Sequence, residues 1–241
     1  MERLKINEND ELDFIKNLIS SENPDVIFLT ETNLILDFGA EYFSFHSKEL
    51  PSFHDNQSYN EKENRTSIFS KYSFTETIET YDNYTAICGK INTEFGELIL
   101  YGSIIGSFGG RDVHFENDLE NQKNEIKNLK ENICYSGDFN IAFSGWKYPS
   151  IKVIDETKAF FNQQNLKILT EENENCAIHI VMNKDFLKNK TVKSKMIKID
   201  RKISDHNAVI CEIYESEVRS WKNKKLHQKN FHHPSPNIQQ L

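Results

Sequence analysis

Three short stretches carry side chains suited to one kind of chemistry. At 137–140 the chain reads Gly-Asp-Phe-Asn, directly after the apolar run that begins at Ile133. In extended backbone, residues two apart face the same way, so Asp138 and Asn140 look out together from a strand end. A carboxylate can ligate a hard cation or take a proton from water. A carboxamide can hold a phosphate oxygen without adding charge. The pair suits metal-assisted attack on a phosphoester, although Gly, Asp and Asn also make ordinary turns. The second stretch is Thr30-Glu31-Thr32, which puts Glu31 at the C-terminal end of the run Asp25–Leu29. Sites in layered α/β proteins favour such ends. The third is Ser204-Asp205-His206, before the run Ala208–Cys211. There a carboxylate can bind metal or fix an imidazole, and the imidazole can bond a phosphoryl oxygen or move a proton near neutral pH.

The elements that must position these groups alternate between helix and strand. Leu12, Ile15, Leu18 and Ile19 fall at helical spacing within 10–22, and Pro24 stops that helix. After Asp25, residues 26–29 are apolar throughout, as in a strand covered on both faces. Strands are expected at 66–70, 84–91 and 98–105, the last two joined by the Phe95-Gly96-Glu97 turn as an antiparallel hairpin. Further expected elements are a polar helix at 116–131, a helix around 153–161, and strands at 166–169, 176–182, 192–199 and 208–211. Residues 37–64 show little pattern beyond one short strand. The Gly-rich segment 106–112 could approach a phosphate through backbone N–H groups, but it lacks the Lys-Ser/Thr ending of a nucleotide P-loop. Trp146 and Tyr148 could stack a base; loop packing is the simpler role.

The bulk numbers exclude some classes. The chain has 241 residues and a net charge of −8, which does not suit non-specific coating of nucleic acid. Its four Cys, at 88, 134, 176 and 211, make no Cys-x-x-Cys knuckle and sit in apolar runs. Buried free thiols point to a reducing, cytoplasmic setting. No signal segment and no apolar run near ~18 residues indicate secretion or a membrane span. Residues 1–215 read as one domain. Residues 216–241 read as a basic, disordered tail, with Arg219, Lys222, Lys224, Lys225 and Lys229 against Glu217.

Taken in order, the three stretches resemble the endonuclease/exonuclease/phosphatase superfamily. Asp25–Thr32 looks like its "PDxxxLxET" strand, Asn64–Lys71 like its "RxxxxxSK" strand led by Arg65, and Tyr101–Ile105 like its "YGxII" strand. The resemblance covers about residues 10–214. It implies an α/β (α+β) fold of two packed, mainly antiparallel β-sheets flanked by helices, a four-layer sandwich. It also implies Mg²⁺ or Mn²⁺. Glu31 would ligate the metal with support from Asp205. Asp138 would orient or deprotonate the attacking water, Asn140 would hold the scissile phosphate or help position the metal, and His206 would stabilise the transition state. Arg65, Tyr101 and His179 are expected to contact substrate. The implied activity is hydrolysis of a phosphodiester in DNA, RNA or a nucleotide-like substrate. A binding module with a weakened site and a small-metabolite phosphomonoesterase are the alternatives.

Two departures from the family pattern stand out. Its first strand carries Trp-Asn, and counting back from Leu12 that Asn falls before Met1. Its "Ile-Asp-His-Ile" strand reads Ala177-Ile178-His179-Ile180 here, so Ile178 replaces the carboxylate that orients the catalytic His. In a hydrolytic triad such a loss costs ~10⁴ in rate; Glu174 or Asp205 are the candidate substitutes.

Overall fold

The structure is a computed structural model, and it describes residues 9–216. Residues 1–8 and 217–241, which hold the positions next to the Trp-Asn question and nearly all of the expected tail, lie outside the described residues. Helix α1 (Asn9–Glu22) leads into β1 (Val26–Asn33), followed by β2 (Phe43–His46), the short pair β3 (Phe53–His54) and β4 (Gln57–Ser58), and β5 (Glu63–Ser70). Next come β6 (Phe74–Ile78), β7 (Ala86–Thr93), β8 (Gly96–Ile104), α2 (Phe115–Asn128) and β9 (Ile133–Asp138). The rest comprises α3 (Ile151–Gln163), β10 (Leu166–Ile168), β11 (Ile178–Asn183), β12 (Lys190–Ile197) and β13 (Ala208–Glu215). Every expected helix and strand is present. The sequence reading lacked β6 and the β3–β4 hairpin.

The strands form a six-stranded sheet ordered β10-β11-β9-β8-β7-β6, a three-stranded sheet β1-β5-β2, and the separate β12–β13 pair. All pairings are antiparallel except β8 with β9, which α2 connects as a crossover. Ile68 of β5 and the half-buried Val26 and Phe28 of β1 face Leu98, Leu100, Cys134 and Met182 of the larger sheet, with Cys211 and Ile213 of β13 against the same core. The larger sheet's other face packs Tyr101, Tyr135 and Val181 against Phe115 and Ile126 of α2 and Ile154 and Phe161 of α3. Helix α1 covers the outer face of the smaller sheet through Ile15 against Ile27 and Phe69. Helix, sheet, sheet, helix is therefore the layer order, and this is the expected sandwich. All four Cys are free, and three are buried.

The crossover fixes the most important position. In register Ser103 lies beside Gly137, and Ile104 beside Asp138, so the loops after β8 and β9 leave the sheet side by side. Gly137 has φ +148°, and a Cβ there would stand 1.9 Å from the Ser103 carbonyl oxygen. Only glycine fits. Gly137→Ala is expected to destabilise the fold by about 3 kcal/mol or more, read as a lowered urea midpoint.

Candidate active site

Asp138 ends β9 with its side chain buried, 6% exposed. The backbone turns at once: Asn140 has φ +50°, a left-handed conformation that Asn tolerates better than most residues. Its N–H donates to Asp138 Oδ1 at 3.0 Å, and its Nδ2 donates to the carbonyls of Ile105 and Gly106, both at 3.1 Å. Asn140 thus ties the β9 turn to the β8 loop. Its amide hydrogens are taken up, so it is not set to donate to a phosphate as expected; only Oδ1 remains for a ligand.

His206 faces this turn from the loop before β13. Its Nε2 lies 3.3 Å from Asp138 Oδ2 and 3.6 Å from Asp205 Oδ2. Burial works against a charged imidazole, but the Asp138 hydrogen bond and charge outweigh it and hold the His206 pKa above its ordinary value. Burial alone would also raise Asp138. The His206 hydrogen bond and charge and the Asn140 N–H reverse that, and the carboxyl ends below its ordinary range. Ile178 stands in register opposite Asp138, where it brings no carboxylate. Asp205 contacts the same imidazole nitrogen as Asp138. Glu174 pairs with Ser144 through a backbone β-bridge.

Glu31 completes the group from the other sheet. It sits within β1 rather than at its end, at φ +53°, a region that costs a non-glycine residue about 1 kcal/mol or more. Burial pushes its carboxyl up to about 7, with Asp138 and Asp205 adding to the rise. Three carboxylates and an imidazole from three separate stretches therefore share one field.

Three expected contacts fall elsewhere or change meaning. Tyr101 is 1% exposed and donates its hydroxyl to Glu125 on α2, so it faces the helical layer rather than the site. His179 is fully buried between Phe139 and Phe143. Its ring nitrogens lie 2.9 Å from Thr170 Oγ1 and from the Ile141 carbonyl, and burial pulls its pKa down to about 4. It is a neutral core residue that holds the segment after Asn140. Arg65 does lie near the site, but it ion-pairs with Asp55 and donates to Thr85 Oγ1 at 3.0 Å. The glycine-rich loop also differs from expectation: N–H groups of Gly106, Phe108 and Gly110 already bond Asp118, Asp112 and Tyr148.

A pocket of about 160 Å³ opens beside Glu31. Thr32, Asn64 and Ser107 line it, and the sequence reading singled out none of them for binding. Asn64 is a polar side chain in an eight-residue strand that is buried throughout, and no sequence pattern marks that burial.

Among the described residues, no three His, Cys, Asp or Glu side chains stand close enough to cage a metal. The donor chemistry nevertheless suits a hard cation. Magnesium binds through one or two carboxylates, with water and substrate phosphate completing its shell, and Glu31 holds its proton up to about 7 in part because carboxylates crowd it.

Residues 6–160 match the Endonuclease/Exonuclease/phosphatase family. The chain belongs to that family. Solved members and neighbours share the fold at low identity. An endonuclease/exonuclease/phosphatase family protein from Leptotrichia buccalis C-1013-b aligns with a TM-score of 0.61 at 16% identity, over 88% of this chain and 95% of that one. The endonuclease/exonuclease/phosphatase of Beutenbergia cavernae DSM 12333 aligns at 0.61 and 13%, over 86% of this chain and 66% of that one. D. rerio TDP2 complexed with a single strand DNA product aligns at 0.60 and 16%, over 87% and 94%. No curated protein matches by sequence. The family hydrolyses phosphoesters, which is the chemistry that the carboxylate and imidazole group suits. Among the described residues, no helix is long and apolar enough to cross a membrane.

Proposed function

We propose that this protein is a divalent-metal-dependent phosphoesterase that cleaves a phosphodiester in nucleic acid or a nucleotide-like substrate. The observation that carries the reading is the meeting of Glu31, Asp138, Asp205 and His206 in one half-buried field. Glu31, with Asp205 nearby, would hold Mg²⁺ or Mn²⁺. Bound there, the ion would supply positive charge to the phosphoryl oxygens and an acidified water.

The chain's own groups divide the remaining work. Asp138 has a depressed pKa, so it is a weak base and better suited to orienting the attacking water than to deprotonating it. His206 is held toward its protonated form and can donate to the phosphoryl oxygen that gains charge. Asn140 fixes the turn that presents Asp138. TDP2 complexed with a single strand DNA product supports a nucleic-acid-like substrate.

Purified protein with Mg²⁺ or Mn²⁺ is expected to hydrolyse bis-p-nitrophenyl phosphate, DNA or RNA, with EDTA abolishing the turnover. No cleavage of any of the three by folded protein would overturn the proposal. Ile178 opposite Asp138 favours a second reading, a binding module with a weakened site. Substrate binding without turnover would select it.

A further inference from the structure

We infer that the pocket beside Glu31 is a subsite for a single sugar ring esterified to the scissile phosphate. Three buried polar atoms that line or belong to its walls have no hydrogen-bond partner among the described residues: Thr32 Oγ1, Asn64 Oδ1 and Ser107 Oγ. Thr32 and Asn64 are each 1% exposed. Asn64 Nδ2 donates to the Thr66 carbonyl at 2.8 Å and to Ser67 Oγ at 3.0 Å, which fixes the amide with its oxygen unpaired. Buried polar groups are nearly always satisfied. Three such orphans on one concave wall mark a place where a ligand supplies the missing bonds.

The wall chemistry selects the ligand. The pocket holds about 160 Å³, well below the ~300–1,000 Å³ of sites that enclose a drug-sized molecule. It therefore admits one compact group. Asn64 Oδ1 accepts only, while the two hydroxyls both donate and accept. Glu31 and Glu63 add carboxylates to the lining. Arg65, the cation of the lining, is committed to Asp55. An anionic group would meet acceptors without a free cation. A sugar ring brings several hydroxyls that both donate and accept. Its apolar face suits Leu50 and Ile104, and Phe108, 52% exposed, stands at the rim. The position next to Glu31 places the ring where an ester of the scissile phosphate would continue. That last step rests on the phosphoesterase reading; binding of the sugar itself does not require it.

The test uses full-length ¹⁵N-labelled protein without metal or phosphate. Methyl β-ribofuranoside and methyl α-glucopyranoside are titrated separately, with amide shifts of Thr32, Asn64 and Ser107 as the readout. At least one glycoside is expected to give saturable shifts at these positions. Thr32→Val and Ser107→Ala, which remove one hydroxyl each, are expected to weaken that binding about tenfold without lowering Tm. Asp205→Asn, outside the pocket lining, is expected to keep it. A response to the riboside alone supports the subsite and marks a nucleoside ester, and a response to the glucoside alone supports it and marks a hexose phosphate. No saturable shift with either glycoside, or binding that both hydroxyl variants leave unchanged, overturns the inference. Neither result touches the hydrolysis assay on bis-p-nitrophenyl phosphate, so failure of the two readings is told apart.

Discussion

Asp138→Asn is expected to lower kcat about a thousandfold or more, the scale seen when a charged transition-state partner is lost. The substitution keeps the shape at the end of β9 and removes the charge facing His206. Two functions fail together: the carboxylate that orients the water, and the counter-charge that keeps the imidazole protonated. The His206 pKa should fall in the variant, visible as an acid shift of its NMR titration.

Stability should respond in a defined pH window. His206 has a raised folded pKa, so its contribution is present below about 6.5 and fades as pH rises through the folded value. Asp138 has a depressed folded pKa, so its contribution is present above about 3.8 and is lost as pH falls through the folded value. The pair is strongest where both hold. Asp138→Asn should therefore cost about 2 kcal/mol near pH 5.5, the usual weight of a charge-assisted hydrogen bond, and less near pH 8.5. Unchanged turnover would remove Asp138 from the chemistry. An equal stability loss at both pH values would show that the contact with His206 is not ionic.

Most of the layered architecture was legible because apolar runs and turn residues dictate it locally. Val26–Leu29, Leu98–Ile104 and Ile133–Tyr135 have the composition of doubly covered strands, and each is one. The order Glu31, Asp138, Asp205-His206 was legible too, because each group sits at or near the junction of an apolar run and a polar turn. Side-chain direction was not. Tyr101 and His179 lie in a sheet packed on both faces, by helices on one side and strands on the other. In such a sheet no alternation of apolar and polar residues marks a solvent face, so a motif position does not reveal which layer a side chain enters. The partners of Arg65 were hidden for a different reason. Asp55 is at a positive-φ turn between two strands of two residues each, and Thr85 is on another loop. Only tertiary packing brings them to one guanidinium. Thr32, Asn64 and Ser107 come from β1, β5 and the loop after β8, with no spacing in common.

Glu31→Gln is expected to stabilise the metal-free protein near pH 8 while reducing turnover about a thousandfold. The two effects share one cause. Burial and the nearby Asp138 and Asp205 carboxylates hold the Glu31 carboxyl up to about 7, against 4.5 for an ordinary one. Between those values the folded chain keeps a proton that the unfolded chain has released. The folded state then binds more protons, so stability falls as pH rises across that window. A gap of this size corresponds to about 3 kcal/mol, and an isosteric neutral amide avoids it. The amide that replaces the carboxylate would, however, be a poorer ligand for a hard cation. Thermal unfolding at pH 5.5 and 8, with EDTA and with Mg²⁺, separates the contributions. In the parent protein Mg²⁺ should raise Tm at pH 8, where Glu31 has lost its proton, and much less at pH 5.5, where proton and cation compete for the same oxygens. In the variant the Mg²⁺ effect should vanish at both. A strained, repulsive carboxylate that lowers stability and is kept in place is the usual mark of a group retained for function. If Glu31→Gln instead lowers Tm at pH 8 in EDTA, the buried carboxylate does not cost the stability assigned to it; if Mg²⁺ raises Tm equally in parent and variant, Glu31 does not hold the cation.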